Sequence, residues 1–478
     1  MVMLLWLLAC GGGTQSERPP RSTPERAERT PRPKPAVVGE RPENVLIVLA
    51  DDLGTDKVGA YGAHPDAPPT PHIDALAARG VRFDHAYSTP ACSPTRAALL
   101  TGRQGRRTGV GSVVFQRRDP EGLPRSEVLI PEMLSLASQD WSTVALGKWH
   151  LAVEEHPDYE RDALRQGFDH YAGALNNVTT TRKRKDGDKA SYKKWEKTVD
   201  GKTDWTTVYA TTDTVNDALA KIAELPEPWF VYMALNAIHE PFEVPPAELV
   251  PGMKRPPKSE RGIVDAMVQA TDTELGRLFE AVDFDDTTVV FVSDNGTTEV
   301  GIAPPWDPDR SKLTLYDGGC RVPFVVAGPR VARPGSSSDA LVHVVDLFPT
   351  VADIAGVALA DVKRPDGTQV PIDGQSLLPL LAHPEAPGRA VMYVDKFQPN
   401  GRGLKRTLDR RMIRDREYKL IRTSKGDELF AYAAGRWDEG PNLLQGTLTA
   451  EQQAAYDALS ARLEPITRRL ERDVAVPD

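Results

Sequence analysis

The chain has 478 residues, of which 40% are hydrophobic and 27% charged, and its formal net charge is −9. This length is enough for one large domain with a small one, or for two or three domains of ordinary size. The acidic balance argues against a general nucleic-acid-binding protein, because that role needs basic surface to displace counterions from the phosphates.

The chain begins with an apolar segment over residues 1–9, which is too short to span a bilayer. Cys10 and three glycines follow it. This arrangement resembles a bacterial lipoprotein signal over residues 1–10, in which Cys10 would carry the lipid. It implies export to the bacterial periplasm or cell surface, with membrane contact only through the N-terminal lipid. Since no Lys or Arg precedes the apolar segment, a plain secretion signal is the alternative.

Residues 11–42 are rich in Pro, Arg, Glu, Ser and Thr and contain few side chains that a core would bury. We predict a disordered tether, because such a composition cannot offset the entropy lost on folding. The folded part is expected to start near Arg41. A catalytic domain is expected over residues 43–384 and a C-terminal subdomain over residues 385–478.

Four apolar runs, each typical of a strand buried on both faces, end in polar side chains. Helix-like segments between them predict a parallel sheet, whose ligands gather at the carboxyl ends of its strands. We therefore expect these polar side chains on one rim of the sheet. The runs at 45–50, 142–146, 230–235 and 287–293 lead to Asp51 and Asp52, to Lys148 and His150, to His239, and to Asp294 and Asn295.

Four of these side chains, Asp51, Asp52, Asp294 and Asn295, offer oxygen donors, and the chain lacks the Cys/His spacing of a zinc site. Hard oxygen ligands select Ca²⁺ or Mg²⁺, and carboxylates with an amide carbonyl favour Ca²⁺. Each cluster alone also has a structural explanation, because Asp and Asn cap helices and open turns. Taken together they predict a calcium site, with Mg²⁺ as the alternative ion.

Cys92 lies where a loop enters a predicted helix. Pro94 suits the first helical turn, and Ser93 is predicted to cap it. Backbone N–H groups at a helix N-terminus favour negative charge, so the pKa of the Cys92 thiol is predicted to be lowered and the residue to be reactive. The alternative is a small buried hydrophobic residue.

From about residue 385 the chain changes character. Residues 391–394 and 411–422 are predicted strands. Thr449 and Gln452 are typical of a capping box that opens a helix, and an apolar stripe runs from Tyr456 to Leu470. We predict a small sheet and a terminal helix that pack on the main domain and form one wall of its pocket.

The segment Cys92-Ser-Pro-Thr-Arg96, followed by Leu100-Thr-Gly-Arg103, resembles the signature of the formylglycine-dependent sulfatases, the type I, arylsulfatase-like members of the alkaline phosphatase superfamily. The resemblance covers residues 43–445, with further matches at 70–83, 167–170, 236–241, 312–323, 346–350, 373–378, 414–421 and 428–430. It implies an α/β fold: an alkaline-phosphatase-like large domain with a mainly parallel central sheet flanked by helices, plus a small C-terminal α+β subdomain with an antiparallel sheet.

In that family the signature cysteine is oxidised to an aldehyde, formylglycine. The resemblance therefore implies a formylglycine-generating maturation enzyme as a partner that acts on Cys92. If Cys10 is lipidated and Cys92 is modified, Cys320 remains alone, and no disulfide framework is expected.

The resemblance also implies an activity, namely hydrolysis of a sulfate monoester to an alcohol and inorganic sulfate by the hydrated aldehyde. An oxygen of the modified Cys92 would join the four oxygen donors around the cation. The other implied roles are proton acceptance by Asp294 and His150, protonation of the departing alcohol by Lys312 and His239, and binding of the diol and the sulfate oxygens by Arg96 and Lys148.

A basic insertion occupies residues 181–197 and includes Lys193, Lys194 and Trp195. A basic patch with an aromatic side chain suits a sulfated glycan, whereas a solvated surface insertion is the alternative. The expected substrate is therefore a sulfated small molecule or a sulfated glycan.

Two other functions remain open at this point. A phosphate or phosphonate monoester hydrolase of the same superfamily would share the fold and much of the site. A non-catalytic lipoprotein that binds sulfated ligands would leave Cys92 unconverted. The presence of Lys148, His150, His239 and Lys312 argues against the second of these.

Overall fold

The structure is a computed structural model that describes residues 42–114, 122–178, 190–432 and 437–472. The predicted signal segment, the predicted tether up to residue 41 and residues 181–189 of the basic insertion lie outside this part of the chain. The described residues, which start at Pro42, belong to one compact unit.

The described residues contain fourteen strands. They are β1 (Asn44–Ala50), β2 (Gly80–Tyr87), β3 (Ser142–Gly147), β4 (His170–Gly173), β5 (Trp195–Val199), β6 (Lys202–Thr206), β7 (Trp229–Ala234), β8 (Thr287–Ser293), β9 (Phe324–Ala327), β10 (Ser336–His343), β11 (Met392–Gln398), β12 (Leu408–Arg414), β13 (Tyr418–Thr423) and β14 (Gly426–Ala431).

Eleven α-helices occur in the same residues. They are α1 (Pro71–Arg79), α2 (Cys92–Thr101), α3 (Gly105–Thr108), α4 (Ile130–Leu134), α5 (Asp162–Arg165), α6 (Ala210–Glu224), α7 (Glu260–Glu280), α8 (Asp317–Cys320), α9 (Leu347–Ile354), α10 (Leu378–Ala382) and α11 (Ala450–Arg472). Among them, none combines the length and the apolar character needed to cross a membrane.

Ten strands form the central sheet in the order β10-β2-β9-β8-β1-β7-β3-β4-β5-β6. The five strands β8, β1, β7, β3 and β4 at its middle run parallel, while β9, β5 and β6 pair antiparallel. The prediction of a mainly parallel central sheet is confirmed. Because the four predicted site strands are adjacent, their carboxyl ends meet on one rim.

Strand β1 is buried on both faces, as its continuous apolar sequence predicts. Its odd-numbered side chains from Val45 to Leu49 pack in one core, together with Leu99, while its even-numbered side chains pack in a second core with Met267 of α7. The sheet therefore lies between two helical layers. Strand β1 is the fifth of the ten strands in the sheet, so its carboxyl end lies near the middle of the rim.

The second sheet contains four antiparallel strands in the order β11-β12-β13-β14. One of its faces packs on Tyr87 and Leu315 of the main domain. The other face packs on α11 through Leu459, Leu463 and Leu470. Helix α11 begins with the predicted capping box, in which Gln452 N donates to Thr449 Oγ1 at 3.2 Å and Thr449 N donates to Gln452 Oε1 at 3.0 Å.

Buried charges also lie between the two sheets, and we call Asp317, Arg414, Lys419 and Glu439 the interface cluster. Lys419 Nζ contacts Asp317 Oδ1 at 2.8 Å and Glu439 Oε1 at 2.7 Å. The Tyr87 hydroxyl accepts from Arg414 at 2.5 Å and donates to Asp317 Oδ1 at 2.9 Å. These contacts join the C-terminal sheet to the main domain by paired rather than isolated charges.

Candidate active site

The predicted polar side chains converge where β1, β8, β7 and β3 end. Backbone bonds fix their relative positions, since Asp294 N donates to Ala50 O at 3.0 Å and Lys148 N donates to Ala234 O at 2.7 Å. The next turn of chain is held in the same way, because Ile238 N donates to Asp51 O at 2.5 Å. The strand register therefore places Asp51, Lys148 and Asp294 on one rim.

Asp51 is completely buried at the centre of this group. Its Oδ2 lies 2.5 Å from Lys148 Nζ and 3.3 Å from an Arg96 nitrogen. The same Arg96 nitrogen lies 2.8 Å from Asp294 Oδ2, and a second one donates to Lys148 O at 2.7 Å. Arg96 thus connects helix α2 to the ends of β1, β3 and β8.

Asp52 and Asn295 form the other half of the group. Asp52 Oδ1 lies 2.6 Å from Lys312 Nζ and accepts from Asn295 Nδ2 at 2.8 Å. The backbone N–H of Asp52 donates to Asp294 Oδ1 at 3.2 Å. We call Asp51, Asp52, Arg96, Lys148, Asp294 and Lys312 the rim cluster; it holds three carboxylates and three cations.

Cys92 is the first residue of α2 and is 1% exposed. Its Sγ lies 3.5 Å from Asp51 Oδ1. Burial and the carboxylates of Asp294 and Asp51 raise the pKa of the thiol, so the predicted lowering is wrong. The helix N-terminus favours an anion, but desolvation and two adjacent carboxylates oppose it.

Ser93 does not cap α2, contrary to prediction. The residue before the helix is Ala91, and the structure shows no side-chain cap there. Instead Ser93 Oγ accepts from Val114 N at 3.0 Å. The physical reason is that Ser93 already lies inside the first helical turn, two residues after the capping position at Ala91, where its side chain cannot bond back to the free N–H groups.

The carboxyl groups differ in how readily they ionise. Burial opposes the charged form of Asp51, but Lys148, His239 and Arg96 hold the pKa of this carboxyl well below its usual range. Burial and the nearby Asp51 raise the pKa of Asp294. Asp51 is therefore the permanent anion of the pair, and Asp294 is the carboxyl that can take a proton.

The basic side chains divide in a similar way. Burial lowers the pKa of His150, and the adjacent Lys148 and Arg96 lower it further. Burial and Lys148 also lower the pKa of His239, whose Nδ1 lies 2.8 Å from Glu240 O. For Lys312, burial opposes the charge, but Asp52 raises the pKa above its usual range. Both imidazoles are thus neutral near pH 7, and Lys312 keeps its proton.

The site has the donors that a divalent cation requires. One ligand atom from each of Asp51, Asp52, Cys92 and His239 lies within 4.8 Å of the others. Asp52 Oδ2 and Asn295 Oδ1 are buried, and neither has a hydrogen-bond partner in the described protein. Buried acceptors without partners are costly, and a hard cation would satisfy both oxygens. The residues present therefore fit a calcium or magnesium ion.

The backbone is strained at this rim. Asp52, His150 and Leu313 have φ values of 62°, 55° and 71°, in the left-handed region that non-glycine residues rarely adopt. Asp52 lies two residues after the end of β1, His150 three residues after the end of β3, and Leu313 follows Lys312. Such strain persists where the surrounding structure enforces it, which is common at functional sites.

Two residues that sequence reasoning missed support this geometry. The buried Tyr192 hydroxyl lies 2.5 Å from Asn236 O and 2.8 Å from His239 O, so it fixes the turn that presents His239. Thr297 Oγ1 accepts from Gly54 N at 2.9 Å, and Thr297 O accepts from Lys312 N at 3.0 Å. Tyr192 carries no local signal, whereas Thr297 closely follows the Asp294-Asn295-Gly296 turn.

The predicted aromatic residue of a glycan subsite is not available. Trp195 is fully buried in β5, and its Nε1 donates to Val208 O at 3.0 Å. Lys193 Nζ donates to Val244 O at 2.9 Å. In the described half of the basic insertion, Trp195 is therefore a core residue of strand β5 and is not exposed to a ligand.

Comparisons with known proteins point to one family. The family model described as Sulfatase matches residues 43–357, and the model described as N-sulphoglucosamine sulphohydrolase, C-terminal, matches residues 310–465. The chain is 31% identical to N-acetylgalactosamine-6-sulfatase of Homo sapiens over 388 residues, which cover 74% of this chain and 68% of that protein. It is 29% identical to arylsulfatase A of Homo sapiens over 389 residues, covering 76% and 73%.

A solved structure is also similar. The crystal structure of Ps i-CgsB in complex with k-i-k-neocarrahexaose superposes with a TM-score of 0.72 and 26% identity, covering 89% of this chain and 93% of that one. The chain belongs to the sulfatase family, the formylglycine-dependent sulfatases of the alkaline phosphatase superfamily. It is a sulfuric ester hydrolase, and the predicted alkaline-phosphatase-like fold is confirmed.

Proposed function

We propose that the protein hydrolyses a sulfate monoester of a sugar, using formylglycine formed from Cys92 and a divalent cation, with calcium expected. The observation that carries this proposal is the convergence of Asp51, Asp52, Cys92 and His239, each with a ligand atom within 4.8 Å of the others. A sulfate monoester is an anion, so its hydrolysis requires neutralised charge, an oxygen nucleophile and a proton donor.

The electrostatics of Cys92 support its conversion. Burial together with Asp294 and Asp51 raises the pKa of the thiol, so the unmodified residue stays protonated and is a poor nucleophile. Formylglycine at this position supplies, when hydrated, an oxygen nucleophile and a second hydroxyl whose deprotonation releases sulfate. Modification by a maturation enzyme is therefore part of the proposal.

We assign the cation to the oxygens of Asp51, Asp52, Asp294 and Asn295, as the two buried oxygens without partners suggest. When bound, the cation supplies positive charge that polarises the sulfate ester and its nucleophile. Arg96 and Lys148 are buried and add two fixed positive charges at the same place. Such preorganised charges stabilise an anionic transition state without reorganising solvent.

Proton transfer divides between the remaining residues. His150 is neutral near pH 7, and its buried Nδ1 has no hydrogen-bond partner in the described protein, which suits a proton acceptor. Lys312 keeps its proton and is 13% exposed, so its ammonium group would stabilise the departing alcohol by donating a hydrogen bond to its oxygen. Asp294 would be a second proton acceptor, and His239 in its protonated form would protonate the departing alcohol.

A sugar sulfate is the substrate class that the relatives favour. N-acetylgalactosamine-6-sulfatase takes its name from a sulfated sugar, and the structure of Ps i-CgsB holds k-i-k-neocarrahexaose. Phosphate and phosphonate esters are the competing class, which the same fold would also accommodate. Neither the site nor the relatives named here favour that class.

The test compares 4-nitrophenyl sulfate, phosphate and phosphonate esters with protein produced alongside a formylglycine-generating enzyme. We expect the sulfate ester to have the highest kcat/KM and peptide mass spectrometry over residues 80–103 to show formylglycine at Cys92. A preference for phosphate or phosphonate esters, or an unmodified thiol in active protein, would refute the proposal.

The cation is tested on the same protein. Dialysis against a chelator should remove activity, and Ca²⁺ should restore it better than Mg²⁺. Thermal unfolding gives an independent readout, because an ion that binds only the folded state raises the Tm. An Asp52→Asn variant should lose this Ca²⁺-dependent rise, whereas Asp265→Asn, outside the rim cluster, should keep it.

We further propose export of the protein and its anchoring by lipid at Cys10, which lies outside the described residues. The apolar segment before Cys10 supports this localisation. Radiolabelled fatty acid should be incorporated by wild-type protein and not by a Cys10→Ser variant in the native host. Labelling of both or of neither would contradict the proposal.

A further inference from the structure

The face of the C-terminal sheet that packs on the main domain changes from apolar to basic along its length. Met392 and Val394 of β11 and Met412 of β12 pack on this face in the same core as Leu315. In the antiparallel pair of β11 and β12, Val394 lies opposite Met412. Two residues further along the strands, Lys396 lies opposite Arg410. Because side chains alternate along a strand, both cations are on the face that covers Leu315.

This basic end of the sheet reaches the active site. Lys396 Nζ donates to Leu313 O at 2.6 Å. Leu313 directly follows Lys312, and its own N–H donates to Pro90 O at 2.8 Å, two residues before Cys92. Leu313 is 43% exposed, so this part of the rim opens to solvent. A ligand that extends from the rim cluster past Leu313 would therefore meet Lys396, with Arg410 opposite Lys396 in the sheet.

The two cations lack anionic partners. Lys396 and Arg410 are both partly buried, and within the described residues neither forms an ion pair with a carboxylate. Neighbouring arginines are paired, for example Arg411 with Glu464 at 2.9 Å and Arg406 with Glu471 at 2.9 Å. Burial and Arg410 lower the pKa of Lys396 to about 8. An anion placed between the two side chains would relieve both the desolvation and the repulsion.

We propose that Lys396 and Arg410 form a subsite for a second anionic group of the substrate, a sulfate or a carboxylate, next to the reacting sulfate ester. The subsite rests on the proposed function and narrows its substrate class to polyanionic sulfated sugars. Arg410 presents a planar fork of donors that matches either anion, and Lys396 adds a point charge. Lys396 also supports the carbonyl beside Lys312, so Arg410 is the residue whose removal reports on the subsite alone.

The experiment uses three probes with the matured enzyme: N-acetylgalactosamine 6-sulfate, N-acetylgalactosamine 4,6-disulfate, and a disaccharide of a hexuronic acid and N-acetylgalactosamine 6-sulfate. We expect Arg410→Gln to lower the preference for a dianionic probe over the monosulfate by about tenfold, mainly through KM, as for one charge-assisted hydrogen bond. Arg410→Lys should keep part of the preference. The probe that loses preference identifies the second anion as sulfate or carboxylate.

Arg468→Gln is the matched control, because Arg468 is an exposed arginine of α11, which packs on the opposite face of the same sheet. It should leave the preference unchanged. The subsite would be overturned if Arg410→Gln lowered kcat/KM equally for all three probes, or lowered it for none of them. Salt should weaken the preference in wild-type protein, because partly exposed charges are screened.

Failure of the subsite and failure of the proposed function give different results. Titration calorimetry of the same probes with the Cys92→Ala protein measures binding without turnover. An enzyme that hydrolyses no sulfate ester, while Arg410→Gln still weakens binding of a dianionic probe about tenfold, would refute the proposed function and retain the subsite. The opposite result would refute the subsite alone. In that result the matured enzyme hydrolyses the sulfate esters, and the Cys92→Ala protein binds each dianionic probe with the same dissociation constant whether or not it also carries Arg410→Gln.

Discussion

The rim cluster and the interface cluster are both groups of buried charge, and the segment from Lys312 to Asp317 connects them. In each, a completely buried carboxylate contacts a lysine within 2.8 Å. Burial and neighbouring charges shift pKa values in both, with the pKa of Asp51 and that of Asp317 held below their usual range by adjacent cations despite burial. Neither burial nor a shifted pKa therefore separates a catalytic group of charges from a structural one.

Two other features do separate them. Left-handed φ values occur at Asp52 and at Leu313, in or next to the rim cluster, and at no member of the interface cluster. The rim cluster also lies where parallel strands end, whereas the interface cluster lies between packed sheets. Strain and position on the sheet, taken together, favour the rim cluster as the proposed reactive group.

The largest expected effect concerns Cys92, whose Sγ contacts Asp51 of the rim cluster. Cys92→Ala removes the position of the nucleophile, so kcat/KM for 4-nitrophenyl sulfate should fall by at least about 10⁴-fold. Because alanine is small and apolar, the Tm should stay close to that of the wild type. Residual activity within about 100-fold of wild type would place the nucleophile elsewhere.

Lys419→Met tests the structural side of the comparison. It leaves Asp317 and Glu439 buried without their shared cation, which should lower the free energy of unfolding by about 3–5 kcal/mol. Urea unfolding measures this loss. Activity per folded molecule should change little, and a loss comparable to that of Cys92→Ala would show that the two clusters are functionally coupled.

Lys312→Met is the matched change in the rim cluster. It removes the ammonium group beside Asp52, so kcat/KM for 4-nitrophenyl sulfate should fall by about 10²–10³-fold. The free energy of unfolding should fall less than in Lys419→Met, because Lys312 is partly exposed while Lys419 is completely buried. The reverse order of the two stability losses would contradict the division into a reactive and a structural cluster.

The smallest expected effect concerns His85 of β2. Burial, with Arg321 and Arg414, lowers the pKa of this imidazole to about 3, while an unfolded histidine titrates near 6.5. As pH falls below about 6.5, the unfolded chain binds a proton that the folded chain refuses, so stability is lost. Between pH 7 and pH 5 this loss should be about 2 kcal/mol at most. Above pH 7 both states are neutral, and His85 contributes no pH dependence.

A His85→Gln variant isolates that contribution. The free energy of unfolding is measured in urea at pH 7 and at pH 5 for both proteins. Its decrease between these two pH values should be about 1–2 kcal/mol smaller in the variant than in the wild type. Other buried groups, such as His343 with its pKa lowered to about 3 by burial and Arg389, provide the remaining acid sensitivity in both proteins. The same decrease in the variant and in the wild type would contradict the prediction.

Sequence reasoning predicted the sheet and its rim because the relevant signals are local. The apolar run of β1 and the acids that follow it stand next to each other in the chain, and the parallel arrangement then brings distant strand ends together. The capping box of α11 is likewise a signal four residues long.

What sequence reasoning missed depends on tertiary packing. The sign of the Cys92 pKa shift follows from carboxylates 41 and 202 positions away in the chain, and a helix N-terminus alone gives the opposite sign. Trp195 sits in a basic insertion, yet strand pairing buries it. Tyr192 reaches the carbonyls of Asn236 and His239 only because the chain folds back on itself.

Arg96 has one more consequence. Its guanidinium bonds to Asp51, Asp294 and Lys148 O where the protein is closed to water, so these contacts by themselves hold helix α2 and three strand ends together. No loop has to become ordered in this corner when a substrate arrives, and little association free energy is consumed by such ordering. More of the association free energy therefore remains for aligning the sulfate ester with its attacking group.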